Sequence, residues 1–132
     1  MLFSPMKQRQ DVCCVLSGAA GLGIQTVEDM LSRVIVDEGF YVFGSREYMS
    51  RVRGGNNSTE LRISSKPVDA LIDRMDILIA LSRSVRQNIL ERITPDTVII
   101  GDRNELKGEL EDRGAPFVHL PLAALAKETG GA

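Results

Sequence analysis

The residues best suited to chemistry lie in two short clusters. In the first, Ser17-Gly18-Ala19-Ala20-Gly21-Leu22-Gly23 follows an apolar run and precedes a helical period. Glycines at such a turn let backbone amides approach a ligand closely, and the free amides of a helix start favour an anion. The spacing is G-x-x-G-x-G rather than the dinucleotide G-x-G-x-x-G, and no Gly-Lys-Ser/Thr follows to make a phosphate loop. Tight strand–helix packing would use the same glycines. In the second cluster, Arg46, Arg51 and Arg53 precede Gly54-Gly55-Asn56-Asn57. Guanidinium groups offer paired donors and glycine bares backbone amides, so this loop suits a phosphate or carboxylate. A solvated surface loop has the same composition. The candidate ligand-binding residues are therefore Gly18, Gly21, Gly23, Arg51, Arg53, Gly54, Gly55 and Asn57. Arg46 opens an alternative, a stand-alone module that meets the 2′-phosphate of NADP; Glu47 comes late for a ribose ligand.

The other reactive side chains point to structure. Cys13 and Cys14 are adjacent in an apolar run, where successive side chains face opposite ways, and two thiols do not make the four-ligand set of a zinc or iron–sulfur site. They read as small core residues. His119, the single histidine, sits between Val118 and Leu120 on an expected strand and reads as a satisfied structural residue. Ser17 and Ser82 fall at strand ends, with no histidine placed to activate either. No catalytic residue and no metal ligand is assigned.

These clusters need elements to hold them. Asp11 to Ser17 reads as a strand, and Ile24, Val27, Leu31, Val34 and Ile35 mark one face of a helix from Gly23 to Glu38, stopped by Gly39. Phe40 to Phe43 is a second strand, expected to run parallel to the first across a right-handed crossover. An irregular polar stretch from Gly44 to Asn57 leads to Thr59–Ser64, whose alternation suggests a half-exposed or edge strand. A short helix after Pro67, a buried strand at Ile77–Leu81, a helix over Ser84–Ile93, a strand at Thr97–Ile100, a charged helix over Glu105–Arg113 and a strand at Phe117–Leu120 follow. Pro121 opens a terminal helix. The expected fold is α/β, a single Rossmann-like doubly wound domain with a mostly parallel sheet and helices on both faces, after an N-terminal extension over residues 1–10.

At 132 residues with a formal charge of −2, the chain lacks the basic excess of a nucleic-acid binder. Its apolar runs are shorter than the ~18 residues a membrane span needs, and Met1 to Gln10 lacks an apolar core of signal-peptide length, so a cytoplasmic location is expected. Leu120-Pro121-Leu122-Ala123-Ala124-Leu125-Ala126 is apolar nearly all round, which predicts a covered helix; isolated, the chain is expected to form a homodimer. Gly130-Gly131 reads as a helix stop or a hinge, and the chain is expected to be truncated at its C-terminus.

Taken together, Gly18 to Gly23, Glu47-Tyr48, Arg53-Gly54-Gly55-Asn56-Asn57, Arg62-Ile63-Ser64 and Pro67-Val68 resemble the gamma subunit or gamma domain of the 2-oxoacid:ferredoxin (acceptor) oxidoreductases. The Gly-Ala-Ala-Gly form is similar to the version fused N-terminally to an alpha subunit. Leu22, Met49 and Asn56 depart from the usual pattern of Glu or Gln, Pro, and His at those places. The resemblance implies oxidative decarboxylation of pyruvate, 2-oxoglutarate or another 2-oxoacid to an acyl-CoA, with electrons passed to ferredoxin. It implies thiamine diphosphate and iron–sulfur clusters on partner alpha and beta subunits or domains, and coenzyme A as a possible ligand here. The chain itself is expected to be non-catalytic, serving assembly and part of the coenzyme A site.

Overall fold

The computed structural model describes residues 11–19, 24–48, 56–83 and 85–121. The first apolar run forms β1 (Asp11–Ala19) and the helical period forms α1 (Ile24–Asp37). Gly39 follows at φ +96°, the left-handed region open to a residue without a side chain. Then come β2 (Tyr41–Tyr48), β3 (Asn56–Ser64), β4 (Ile77–Ala80), α2 (Gln87–Leu90), β5 (Val98–Gly101), α3 (Arg103–Leu106) and β6 (Phe117–His119). One six-stranded sheet results, in the order β2-β3-β1-β4-β5-β6. β1, β4, β5 and β6 pair in parallel, whereas β3 is antiparallel to both neighbours.

Alternation along the strands divides the core into two layers. Cys14, Leu16 and Leu61 pack with Ile24, Val27 and Leu31 on the α1 side. Val15, Leu78 and Ile99 pack with Ile89, Leu106 and Leu110 on the other side. Helices cover both faces, as expected. Val34, expected on the buried stripe, is 59% exposed. At about 100° per residue it falls roughly 70° from the centre of that stripe, on the same flank as the exposed Met30.

β2 runs in the same direction as β1, as expected, with β3 between them, so the first crossover skips a strand. Three expectations need correction. The stretch from Gly44 to Asn57 is not irregular throughout, because β2 continues to Tyr48 and β3 begins at Asn56. β3 is an inner strand and β2 the edge: the polar residues of β3 are paired rather than solvated, Arg62 with Asp11 and Glu60 with Arg92. No helix follows Pro67, because side chains take the carbonyls a helix would use. Arg62 donates to Ala70 O, Arg92 to Asp73 O and Thr97 to Met75 O.

The two later helices are also shorter than expected. After α2 the bonds tighten to Arg92 N–Ile89 O and Ile93 N–Leu90 O, and Thr94 and Thr97 then bond each other around Pro95. α3 starts early because the Asp102 carboxylate caps Asn104 N at 3.0 Å. It stops early because Lys107 and Gly108 turn to φ 52° and 82°. The terminal helix expected after Pro121, the 1–10 extension and the hinge at Gly130-Gly131 lie outside the described residues.

The ion pair at the amino end of β1 carries a pH dependence. Arg62 Nε and Nη2 each donate to the Asp11 carboxylate at 2.9 Å, which holds this carboxyl below its usual range. A lowered folded pKa contributes stability above the unfolded value of 3.8, and that contribution is lost as pH falls through the folded value. Asp11→Asn is therefore expected to lower stability at neutral pH and to flatten the stability curve below pH 3.8, read from urea midpoints across pH. An unchanged acid limb would refute the assignment.

Candidate functional site

Parallel strands share one carboxyl end, and ligands of open α/β sheets bind in the crevice there. β1 reaches that end at Ala19 and β2 at Tyr48, while antiparallel β3 starts there at Asn56. The register pairs Ala19 with Asn56, Gly18 with Asn57, and Asn57 with Tyr48. The glycine turn leaves β1 after Ala19, and the Arg-Gly-Gly loop joins Tyr48 to Asn56. Both sequence clusters are thus rooted on neighbouring strands, about 4.8 Å apart, at one end of the sheet.

Of the candidate residues, Gly18 and Asn57 are described and stand opposite one another across β1 and β3. Gly21, Gly23, Arg51, Arg53, Gly54 and Gly55 lie outside the described residues, although the strands that anchor them do not. Arg46 and Glu47 are inside β2, paired with Thr59 and Ser58, so Arg46 does not close its strand. Beside β1, where a dinucleotide fold places its second parallel strand, this sheet has antiparallel β3. That sets β2, and Arg46 with it, one strand away from β1.

Further along the same end, His119 Nδ1 accepts from Arg103 N at 2.9 Å, which places the ring hydrogen of the neutral imidazole on Nε2. Arg103 Nε reaches Glu111 at 3.0 Å, and its guanidinium lies 5.5 Å from the centre of the Phe117 ring. His119 is the structural residue the sequence suggests. Its use as the tie between β6 and α3 was not legible, because Arg103 lies sixteen positions away. At the opposite end, buried Asp76 accepts from Cys13 N and Arg74 Nε, both at 2.9 Å, and joins the starts of β1 and β4.

The cysteines do not fit a cluster. Cys14 lies in the α1-side core, where burial pushes its thiol up to about 12, and burial also raises Cys13. Among the described residues, no three His, Cys, Asp or Glu side chains converge on a metal position. At pH 8 a thiol with that pKa is thiolate in about one molecule in ten thousand, so iodoacetamide should leave Cys14 of the native protein unlabelled while labelling it in urea. Labelling of native Cys14 at the rate of a free thiol would contradict the burial. No described helix is long and apolar enough to cross a membrane.

Comparison with known proteins joins these features. The family model described as pyruvate ferredoxin/flavodoxin oxidoreductase matches residues 13–132. A 2-oxoacid:ferredoxin oxidoreductase subunit alpha from Sulfolobus sp is 36% identical over 66 residues, which are 50% of this chain and 10% of that protein. Its counterpart from Saccharolobus solfataricus is 31% identical over 64 residues, 48% of this chain and 10% of that protein. The chain thus matches about a tenth of these relatives' length.

Two solved structures share the fold. The 2-oxoglutarate:ferredoxin oxidoreductase from Magnetococcus marinus, with 2-oxoglutarate, coenzyme A and succinyl-CoA bound, superposes at a TM-score of 0.77 and 22% identity, covering 93% of this chain and 22% of that one. The gamma subunit of a keto/oxoacid ferredoxin oxidoreductase from Geobacter sulfurreducens gives 0.74 and 22%, covering 93% and 67%. With a family match that begins in β1, runs through the glycine turn and the Arg-Gly-Gly loop and reaches the last residue, the chain belongs to the pyruvate ferredoxin/flavodoxin oxidoreductase family.

Proposed function

We propose that this chain is a gamma-type domain of a 2-oxoacid:ferredoxin oxidoreductase, which assembles with alpha and beta partners and holds part of coenzyme A without performing the oxidation itself. The observation that carries the reading is the register Ala19–Asn56, which roots the glycine turn and the Arg-Gly-Gly loop side by side. Backbone amides from one and guanidinium groups from the other suit the phosphates of coenzyme A. Coenzyme A in the Magnetococcus marinus neighbour supports the ligand class for that enzyme.

In the complete enzyme, thiamine diphosphate and iron–sulfur clusters on the partners supply decarboxylation and electron transfer to ferredoxin. The described residues of this chain offer no donor set that fits either. Their work is to bind and orient: Gly18 and Asn57 fix where the two loops leave the sheet, and Asp102 and His119 brace the neighbouring edge. Exposed Met30, Val34 and Val36 on α1 support a surface covered in the assembly. Calorimetric titration with coenzyme A tests the ligand. The Arg51→Ala/Arg53→Ala double variant should bind it at least about tenfold more weakly, since each charge-assisted bond to phosphate is a strong one. Equal affinity would remove coenzyme A from this loop.

A further inference from the structure

A recess lies on the other side of the sheet from α1, between α2 and the loop that follows α3. Its volume is about 440 Å³, within the range of small-molecule sites. Val85, Leu90 and Leu110 give it an apolar lining, with Leu110 buried and the other two partly so. Arg83, Lys107 and Arg113 stand on its rim, all exposed. Among the described residues, no ion pair within 4.0 Å engages any of these three cations, although Glu109 and Asp112 line the same recess.

The backbone holds this arrangement at a cost. Lys107 and Leu110 are the non-glycine residues with positive φ among those described, at 52° and 76°. Such conformations cost of order 1–3 kcal/mol each and persist where surrounding contacts impose them. Burial of the Leu110 side chain against the core is one such contact, and it fixes the loop that carries Lys107 and Glu109 over the recess.

We propose that this recess binds a small phosphorylated nucleotide, with the base on Val85, Leu90 and Leu110, the phosphate on Arg83, Lys107 and Arg113, and ribose hydroxyls on Glu109 or Asp112. Each chemical part of the ligand has a matching group: an apolar surface takes a flat heterocycle, unpaired cations take phosphate, and a carboxylate accepts from ribose hydroxyls. The two carboxylates oppose a bare anion and so favour the nucleotide over inorganic phosphate. Arg83 follows β4, and Lys107 and Arg113 follow β5, so the recess shares no residue with the β1–β3 site and stands whether or not that site takes coenzyme A.

The test is a titration of the isotopically labelled full chain with ADP, read by amide chemical shifts, with inorganic phosphate and coenzyme A as parallel probes. The expected result is ADP-dependent shifts at Val85, Leu90 and residues 107–113, and binding at least about tenfold tighter than that of phosphate. Arg83→Gln/Arg113→Gln should weaken ADP by about tenfold or more, while Arg51→Gln/Arg53→Gln should not. Shifts confined to Gly18 and Asn57, equal affinity for phosphate and ADP, or no binding at millimolar ADP would each overturn the proposal. Because the shift map is read on the unaltered chain, failure of a variant to fold leaves the test intact. If coenzyme A moves residues 107–113 as ADP does, its nucleotide end is the source of the ligand; if ADP alone does, a free nucleotide is.

Discussion

Gly101→Ala is expected to lower the thermal midpoint by about 5–15 °C, through a cost of roughly 1–3 kcal/mol in an already packed layer. Gly101 ends β5 between Ala80 and His119. A Cβ there would stand 2.5 Å from Leu106 Cδ1 and 3.2 Å from the Ala80 carbonyl oxygen. Leu106 is 0% exposed and belongs to the core beneath α3, so its methyl cannot swing outward. Leu106→Ala alone should cost about 2–5 kcal/mol by leaving a cavity. Combined, the two changes should cost less than their sum, because the alanine methyl fills part of the space vacated. Urea unfolding of the four proteins measures this directly, and strict additivity would show that the clash is relieved elsewhere.

The largest effect expected is on turnover. Supplied with a 2-oxoacid, thiamine diphosphate, coenzyme A and an acceptor, the chain alone should reduce no acceptor, and adding the alpha and beta partners should restore the reaction. The reason lies in the side chains described above: Cys13 and Cys14 face opposite layers with raised pKa values, and His119 is committed to Arg103 N. Turnover of pyruvate or 2-oxoglutarate by the purified chain would overturn the division of labour.

Local patterns in the sequence were enough to place β1, α1, β4 and β5, because each is a continuous apolar run or a clear helical period. The glycine turn and the Arg-Gly-Gly loop were legible by composition, as candidates for an anion site. That the strands flanking them are neighbours was not. It depends on β3 slipping between β1 and β2, a pairing of residues about 40 positions apart that no local pattern encodes. The alternation of β3 was visible but ambiguous, since a polar face can meet water or, as with Glu60 and Arg62, meet ionic partners from other segments. The segment over residues 65–76 misled for a related reason. Its composition suits a helix, yet the guanidinium groups of Arg62 and Arg92, eight and nineteen positions from the carbonyls they reach, take those carbonyls.

The most direct test of the account is the dependence of the assembled enzyme on coenzyme A when Arg51 and Arg53 are both replaced by alanine. The account predicts a Michaelis constant for coenzyme A raised about tenfold or more, with kcat at saturating coenzyme A and the Michaelis constant for the 2-oxoacid unchanged. A Michaelis constant for coenzyme A equal to that of the unaltered enzyme would contradict it.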